Sequence, residues 1–175
     1  QKSIEDLKQI VSTMPDNEIR NILKKYTGVR KNRRHKPGRA FENSYYTFDI
    51  LSDYGSFRDL QRHRLMTIEW QKMNPELGFN FPDEVKKTPY ENECKELITK
   101  SRELYEKLEA SFPHLKEYSL LFGHNIRYSM TMNIRQAFHL IELRTAKQGH
   151  ISYRKVCMKM HDQIRDIAGH SNFYE

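Results

Sequence analysis

The sequence contains only two cysteines among 175 residues, Cys94 and Cys157. They form no Cys-x-x-Cys pair and no spacing that would bind zinc, so no metal site is expected. Each lies in a helical pattern without an adjacent base, which favours a structural thiol over a nucleophilic one. With so few cysteines, the default interpretation is a protein of a reducing intracellular compartment.

Long apolar segments are also lacking. No run of about 18 apolar residues occurs, so no transmembrane helix and no membrane partner are expected. No secretory signal is visible either, and we predict a cytoplasmic location. The chain begins at Gln1 rather than Met, which indicates a trimmed sequence or a fragment of something longer.

Internal repeats and low-complexity tracts are absent as well. The composition, 37% hydrophobic and 30% charged, suits a soluble globular protein with a modest core. The length fits one domain with an added arm.

Positive charge is abundant and unevenly spread. The formal net charge is +7, and the segment "RKNRRHKPGR", residues 30–39, holds six Lys or Arg residues and His35. Such a block attracts phosphate, on a nucleotide or on a nucleic acid, although a solvated basic loop has the same composition. Because no RNA- or DNA-binding motif can be placed, a nucleic-acid-binding protein is the least favoured interpretation.

Hydrophobic periodicity predicts six helices and two strands. The strands cover 43–54, with Tyr46, Phe48 and Ile50 on one side, and 125–132. The helices cover 3–13, 17–26, 57–66, 89–112, 133–145 and 151–168, the last with Gly169 as its terminator. This order predicts an α+β fold, a helix-rich single domain with a small sheet.

The segment "LQRHRLMTIEWQKMN", residues 60–74, places Arg62, His63 and Arg64 within an apolar frame. Three adjacent side chains that are cationic or can become so are costly to bury. They are therefore either solvated or in contact with an anion. On the predicted helix 57–66, Arg62 would share a face with Arg58 and Gln61.

A second group of polar residues lies in "NIRQAFHLIELR", residues 133–144. Arg135, His139 and Glu142 share one face of the predicted helix, and a solvated surface stripe explains them as well as a binding site does. Arg144 follows Leu143 near the end of an otherwise apolar stripe. A guanidinium there needs a carboxylate, a carbonyl or a phosphate.

Together these segments resemble the flavin-dependent thymidylate synthases. That family carries Arg-His-Arg, then seven residues and Ser-x-Arg, and later Asn-x-Arg, Leu-Arg and "A-Q-x-E-I-R". This chain has "LQRHR" at 60–64 and "NIRQAFHLIELRTAKQGHISYRKV" from Asn133, while "AFENSYYTFDI" at 40–50 is similar to the family's "P-F-E-H" and following strand. The resemblance covers roughly residues 37–168, and it divides the chain into N-terminal helices and a basic arm, 1–36, and a family-like domain, 37–175.

The resemblance implies an activity and its cofactors. Members of the family transfer a methylene group from methylenetetrahydrofolate to carbon 5 of dUMP, with FAD and NADPH, and so make dTMP without a cysteine nucleophile. They form homotetramers with sites between subunits. The residues that would hold FAD are Arg62, His63, Arg64, Asn133, Arg135 and His139. Arg144, Lys72 and Glu69 would hold the nucleotide, and Arg144 would also have the catalytic role.

The nucleotide side of the pattern departs from the family. The family's Ser falls on Lys72, its following Arg on Asn74, and its Glu on Trp70, with Glu69 beside it. A third family arginine falls on Glu117, a carboxylate that would repel phosphate. The alternative interpretation is therefore an inactive or substrate-altered homologous domain that binds FAD or a nucleotide and supports a partner domain.

Overall fold

The fold is built on one small antiparallel sheet. The computed structural model describes residues 1–168, so the predicted terminator Gly169 lies outside the described residues. The strands are β1 (Tyr45–Asp53), β2 (Thr67–Trp70) and β3 (Asn125–Asn133), in the order β1-β3-β2. β1 pairs with β3 along its whole length, from Tyr45 opposite Asn133 to Asp53 opposite Asn125, which places the end of β3 beside the start of β1.

Six α-helices are present within residues 1–168. They are α1 (Ile4–Ser12), α2 (Asp16–Thr27), α3 (Tyr54–Leu60), α4 (Glu91–Ser111), α5 (Ile134–Arg144) and α6 (Ile151–Asp166). Short 3-10 helices cover Arg39–Glu42, Pro75–Leu77 and Lys116–Ser119. The predicted helix-rich α+β class is confirmed.

The core lies between one face of the sheet and helices α3, α5 and α6. Alternate residues of β3 point into it, because side chains of a strand alternate between its two faces. Tyr128, Met130 and Met132 are at most 2% exposed, and they belong to the same cluster as Leu60 of α3 and Leu140 of α5. α5 begins directly where β3 ends, so this packing fixes the position of its first turn.

The helix predicted over 57–66 is present, but both of its predicted bounds are wrong. α3 begins at Tyr54, because the Asp53 carboxylate accepts from the Ser56 backbone N–H at 2.8 Å and caps the helix, and it ends at Leu60. Arg62 therefore shares no helix face with Arg58, and residues 62–64 form the connection to β2. The sequence prediction missed β2, which is only four residues long.

The N-terminal helices contact the domain through a few side chains. Leu23 of α2 packs against a small cluster of Phe41, Ile134 and Phe138. The Tyr26 hydroxyl accepts from the Ala40 N–H at 2.8 Å. A Cβ atom at Gly38 would lie 2.3 Å from the end of the Tyr26 ring, so a larger residue there would displace this ring from its contact with the Ala40 N–H.

Membrane-spanning helices and clusters of metal-binding side chains are both absent from residues 1–168. No helix there has the length and apolar character needed to cross a membrane. No group of three or more His, Cys, Asp or Glu side chains there could hold a metal ion.

Candidate functional site

A cleft of 640 Å³ lies where the basic arm, the start of α5 and the segment before β2 meet. Six cationic side chains line it, against the two carboxylates of Glu42 and Glu142, which leaves a net charge of four positive. The six cations are Arg30, Arg33, Lys36, Arg39, Arg64 and Arg135. A concave site with this charge balance attracts anions.

The first turn of α5 forms one wall of the cleft. Asn133 is the N-cap of the helix, and its side-chain oxygen accepts from the Gln136 N–H at 2.8 Å. The side-chain nitrogen of Asn133 makes no hydrogen bond to the described residues, so it remains a donor for a ligand. The positive end of the helix dipole adds to the attraction for an anion here.

Arg135 holds the arm against this wall. Its Nε donates to the Pro37 carbonyl at 3.0 Å and its Nη1 donates to Glu42 Oε1 at 2.8 Å. Arg39 also donates to Glu42, and its hydrogen bond is the larger cause of the lowered pKa of that carboxyl, with Arg135 adding to it. Glu42 is therefore a carboxylate at neutral pH and is shared by two guanidiniums.

A second ion pair fastens the arm at its other end. Arg30 forms a bidentate pair with Glu142 of α5, at 2.6 and 2.8 Å, and its guanidinium lies 5.0 Å from the centroid of the Phe138 ring. The two charged side chains are only 14% and 25% exposed. Glu142 is thus part of a half-buried ion pair that tethers the arm rather than of a solvated stripe, and Arg30 is not free to bind phosphate.

Three cations of the cleft remain without a carboxylate partner among the described residues: Arg33, Lys36 and Arg64. All three are exposed. Arg33 and Lys36 lower the pKa of His139 by repulsion, in addition to the larger effect of its burial, while Glu142 opposes them. The cleft therefore favours a neutral His139 and an anionic ligand.

His63 and Arg144 lie next to each other behind the cleft. The Nε of Arg144 donates to His63 Nε2 at 2.8 Å, and its Nη2 donates to the Asp59 carbonyl at 2.7 Å. Burial, and then the charge of Arg144 and the proximity of His139, lower the pKa of His63 to about 4. His63 is thus a neutral acceptor at pH 7, with its ring 6.0 Å from that of His139.

The structure brings together some of the predicted site residues and separates others. Arg64, Asn133, Arg135 and His139 line the cleft, and His63 lies beside His139. Arg62 is exposed and does not line the cleft; its guanidinium lies 3.9 Å from the Asp59 carboxylate. The roles predicted for all of these residues stay predictions.

The residues predicted to hold the nucleotide do not line this cleft. Lys72 and Glu69 are both exposed, and Glu69 pairs in register with Ser129 of β3. Arg144 is only 17% exposed and is engaged by His63 and Asp59. Within one chain, Arg144, Lys72 and Glu69 therefore do not converge on the cleft.

Glu117, which departs from the family pattern, and the buried Cys157 are parts of the chain's own packing. The Glu117 carboxylate accepts from the Met73 N–H at 3.1 Å, which holds the segment that follows β2. Cys157 is fully buried, and burial raises its pKa to about 12, so it stays a thiol at neutral pH. Cys94 is half-buried and free.

The sequence alone does not connect the arm with the helix predicted over 133–145. The arm residues and α5 meet only through contacts such as Arg30–Glu142, which joins positions 112 residues apart. Neither the basic block at residues 30–39 nor a single glutamate on a helix predicts that Arg30 pairs with Glu142. The segment "AFEN" is the part of the sequence that could have indicated the contact, since its Glu42 binds Arg135 of the Asn-x-Arg motif.

Comparisons with known proteins identify the family of the chain. Residues 2–169 match the family described as "Thymidylate synthase complementing protein". The chain is similar to a UPF0159 protein of Chlamydia muridarum, with 37% identity over 159 residues, 91% of this chain and 30% of the relative. It is also similar to UPF0159 proteins of Chlamydia pneumoniae and Thermoplasma acidophilum.

Those two relatives are 35% and 32% identical, over 99% and 93% of this chain and 32% and 34% of their own lengths. The chain thus spans about a third of the length of the curated relatives it matches. The resemblance seen in residues 37–168 is confirmed, and the match extends it to the N-terminal helices. The chain belongs to the thymidylate synthase complementing protein family, the family of the flavin-dependent thymidylate synthases.

Proposed function

We propose that this chain is part of a divergent flavin-dependent thymidylate synthase, which methylates dUMP to dTMP with methylenetetrahydrofolate, FAD and NADPH. The observation that carries the proposal is the meeting of Arg64, Asn133, Arg135 and His139 on one cation-rich cleft. In the sequence these residues lie in two motifs about 70 positions apart. Their convergence supports a shared ligand.

The residues of the cleft fit FAD. Its volume lies within the range of about 300–1,000 Å³ that is usual for small-ligand sites. Leu65, Met66, Met132 and Phe138 supply apolar surface for a ring system, and the unpaired cations match a diphosphate. A bound flavin would supply hydride transfer between NADPH and the methylene group.

The chain's own groups would bind and orient this cofactor. Arg64 can pair with a phosphate, and the side-chain N–H groups of Asn133 can donate to an acceptor on the ligand. Neutral His139 can donate or accept one hydrogen bond without adding charge. Arg135 holds Glu42 and the arm in place, so its role toward the ligand includes keeping the wall of the cleft in position.

We expect Arg64→Gln to weaken FAD binding about tenfold or more, because a charge-assisted contact is lost. Titration of the purified protein, followed by flavin absorbance and fluorescence, measures this. Arg62→Gln is the matched control, since Arg62 is adjacent, carries the same charge and lies off the cleft. If wild-type protein binds no FAD, the proposal is wrong. If both variants lose FAD affinity equally, Arg62 of a second chain also contacts the flavin.

A second candidate function is supported by the position of Arg144. Its guanidinium is held by His63 and Asp59, and the position of a further family arginine is occupied by Glu117, which binds the chain's own backbone. An inactive or substrate-altered domain that binds FAD and supports a partner domain would have these features. An anaerobic assay with NADPH, methylenetetrahydrofolate and dUMP separates the two: dTMP formation supports the enzyme, and flavin binding without product supports the partner domain.

We further propose that the chain assembles as a homotetramer in the cytoplasm. One face of α1 carries Ile4, Leu7, Ile10 and Val11, which are 74%, 49%, 37% and 49% exposed, and α1 has no buried residue. A second chain would cover such a stripe.

Light scattering at micromolar concentration should give the mass of four chains. Leu7→Lys with Ile10→Lys should lower the measured mass. A monomeric wild-type protein would contradict this proposal.

A further inference from the structure

The basic arm, residues 30–36, is a fixed part of the cleft rather than a free loop. Arg30 fastens it to Glu142 and Phe138, and the Arg30 Nε also donates to the His35 carbonyl. At its other end, Arg135 holds the Pro37 carbonyl. The two tethers hold the backbone between them against the cleft.

The cations between the tethers divide into two sets. Arg33 and Lys36 line the cleft, while Lys31 and Arg34 do not. Both sets are exposed, and none of these four side chains forms an ion pair within residues 1–168. The arm therefore presents one pair of cations to the cleft and a matched pair to solvent.

A third unpaired cation of the cleft comes from another part of the chain. Arg64 lines the same cleft from the segment before β2, and the first turn of α5 opens onto it at Asn133 and Gln136. Glu42 and Glu142 are already bound by their own arginines, so they do not neutralise these three cations. Three unpaired cations and a helix N-terminus exceed what a single phosphate monoester can balance.

We infer that Arg33 and Lys36 of the arm, together with Arg64, form a clamp for the diphosphate of a nucleoside diphosphate group. This rests on the proposed function, in which that group is part of the flavin nucleotide, but it adds two residues outside the Arg-His-Arg and Asn-x-Arg motifs, Arg33 and Lys36, to the diphosphate site. Two guanidiniums and one ammonium can contact both phosphates, whereas the apolar wall contacts the ring system.

ADP, AMP and adenosine are probes that separate the phosphates from the rest of the ligand. Calorimetry at low salt should show ADP binding about tenfold or more tighter to wild-type protein than AMP. Arg33→Gln with Lys36→Gln should abolish most of this preference for ADP over AMP and reduce the salt dependence of ADP binding. Lys31→Gln with Arg34→Gln removes the same charge from the same arm. This control should change the preference for ADP over AMP less than about twofold.

Outcomes for the clamp and for the flavin are distinguishable. Equal losses in the two double variants would mean unspecific attraction and would overturn the clamp, as would equal affinities of wild-type protein for ADP and AMP. FAD binding that is unaffected by the cleft-facing variant would overturn the clamp and leave the proposed function standing. ADP binding through Arg33 and Lys36 without any FAD binding would support the clamp and refute the flavin.

Discussion

Arg30→Ala is expected to lower the free energy of unfolding by about 2–4 kcal/mol, because it leaves the mostly buried Glu142 carboxylate without its partner. The bidentate pair and the contact with the Phe138 ring are lost together. Urea denaturation followed by circular dichroism measures the change. Hydrogen exchange should show faster exchange of the backbone amides of residues 30–36, since the arm then keeps only its tether at Arg135.

Two further variants separate the ion pair from the charge of the arm. Arg33→Ala removes an exposed cation of the same arm and should change stability by less than about 0.5 kcal/mol. Arg30→Ala combined with Glu142→Ala leaves no orphaned carboxylate, so the double variant should be less destabilised than the sum of the single variants. A stability change for Arg30→Ala within about 0.5 kcal/mol would show that the arm is held by other contacts.

The strands and helices with strong periodicity were predictable because burial of one face dictates their pattern. β1 and β3 alternate apolar and polar residues, and helices α5 and α6 carry apolar residues at helical spacing, such as Leu140 and Met160. The start of α3 was not predictable in this way. Asp53 caps it while also accepting from Asn80 and Ser152, and these are contacts between distant parts of the chain.

The site was predictable in part for a different reason. Arg64, Asn133, Arg135 and His139 were found through the family motifs, not through their spacing alone. The arm was recognised as a basic block, but its place on the cleft depends on tertiary contacts of Arg30 and Arg135. No local rule assigns such partners, because each lies about 100 residues away in the sequence.

For Arg144, the sequence predicted the kind of partner that the side chain needs but not which partner it has in the fold. Its position near the end of an apolar stripe predicted a need for a carboxylate, a carbonyl or a phosphate, and the structure supplies the Asp59 carbonyl and the neutral His63. In the family resemblance the same residue is the nucleotide anchor. To serve as one in this chain, Arg144 would have to exchange at least one of these contacts for the phosphate.

The second large effect is therefore expected from Arg144→Ala, which should lower the free energy of unfolding by about 2–4 kcal/mol. The variant leaves His63 Nε2 and the Asp59 carbonyl without their donor, and it removes a guanidinium that lies 5.2 Å from the centroid of the Tyr153 ring. Arg154→Ala is the matched control, since the Arg154 side chain makes a single hydrogen bond within residues 1–168, to the Thr145 carbonyl, and its loss should cost about 1 kcal/mol. Equal effects of the two variants would show that Arg144 has no special structural role and is available to a nucleotide.

The same contact predicts a pH dependence of stability. His63 has its ordinary pKa of 6.5 in the unfolded chain and about 4 in the fold, so between these values the unfolded chain binds more protons. The contribution of His63 to the free energy of unfolding is therefore fully present above pH 7. It is lost as the pH decreases from about 6.5 towards 4. The loss is roughly 1–2 kcal/mol after allowance for the partial exposure of the ring.

His63→Gln isolates this contribution, because glutamine can still accept from Arg144 but does not titrate in this range. Burial also lowers the pKa of His124 and of His139, so the wild-type slope contains their effects, and the difference between wild type and variant isolates the part of the slope that depends on His63. Unfolding curves at pH 7.0, 6.0 and 5.0 should converge for the two proteins as the pH falls. Parallel pH profiles would mean that His63 is not held as the neutral acceptor of Arg144, and the guanidinium would then be free to face a ligand.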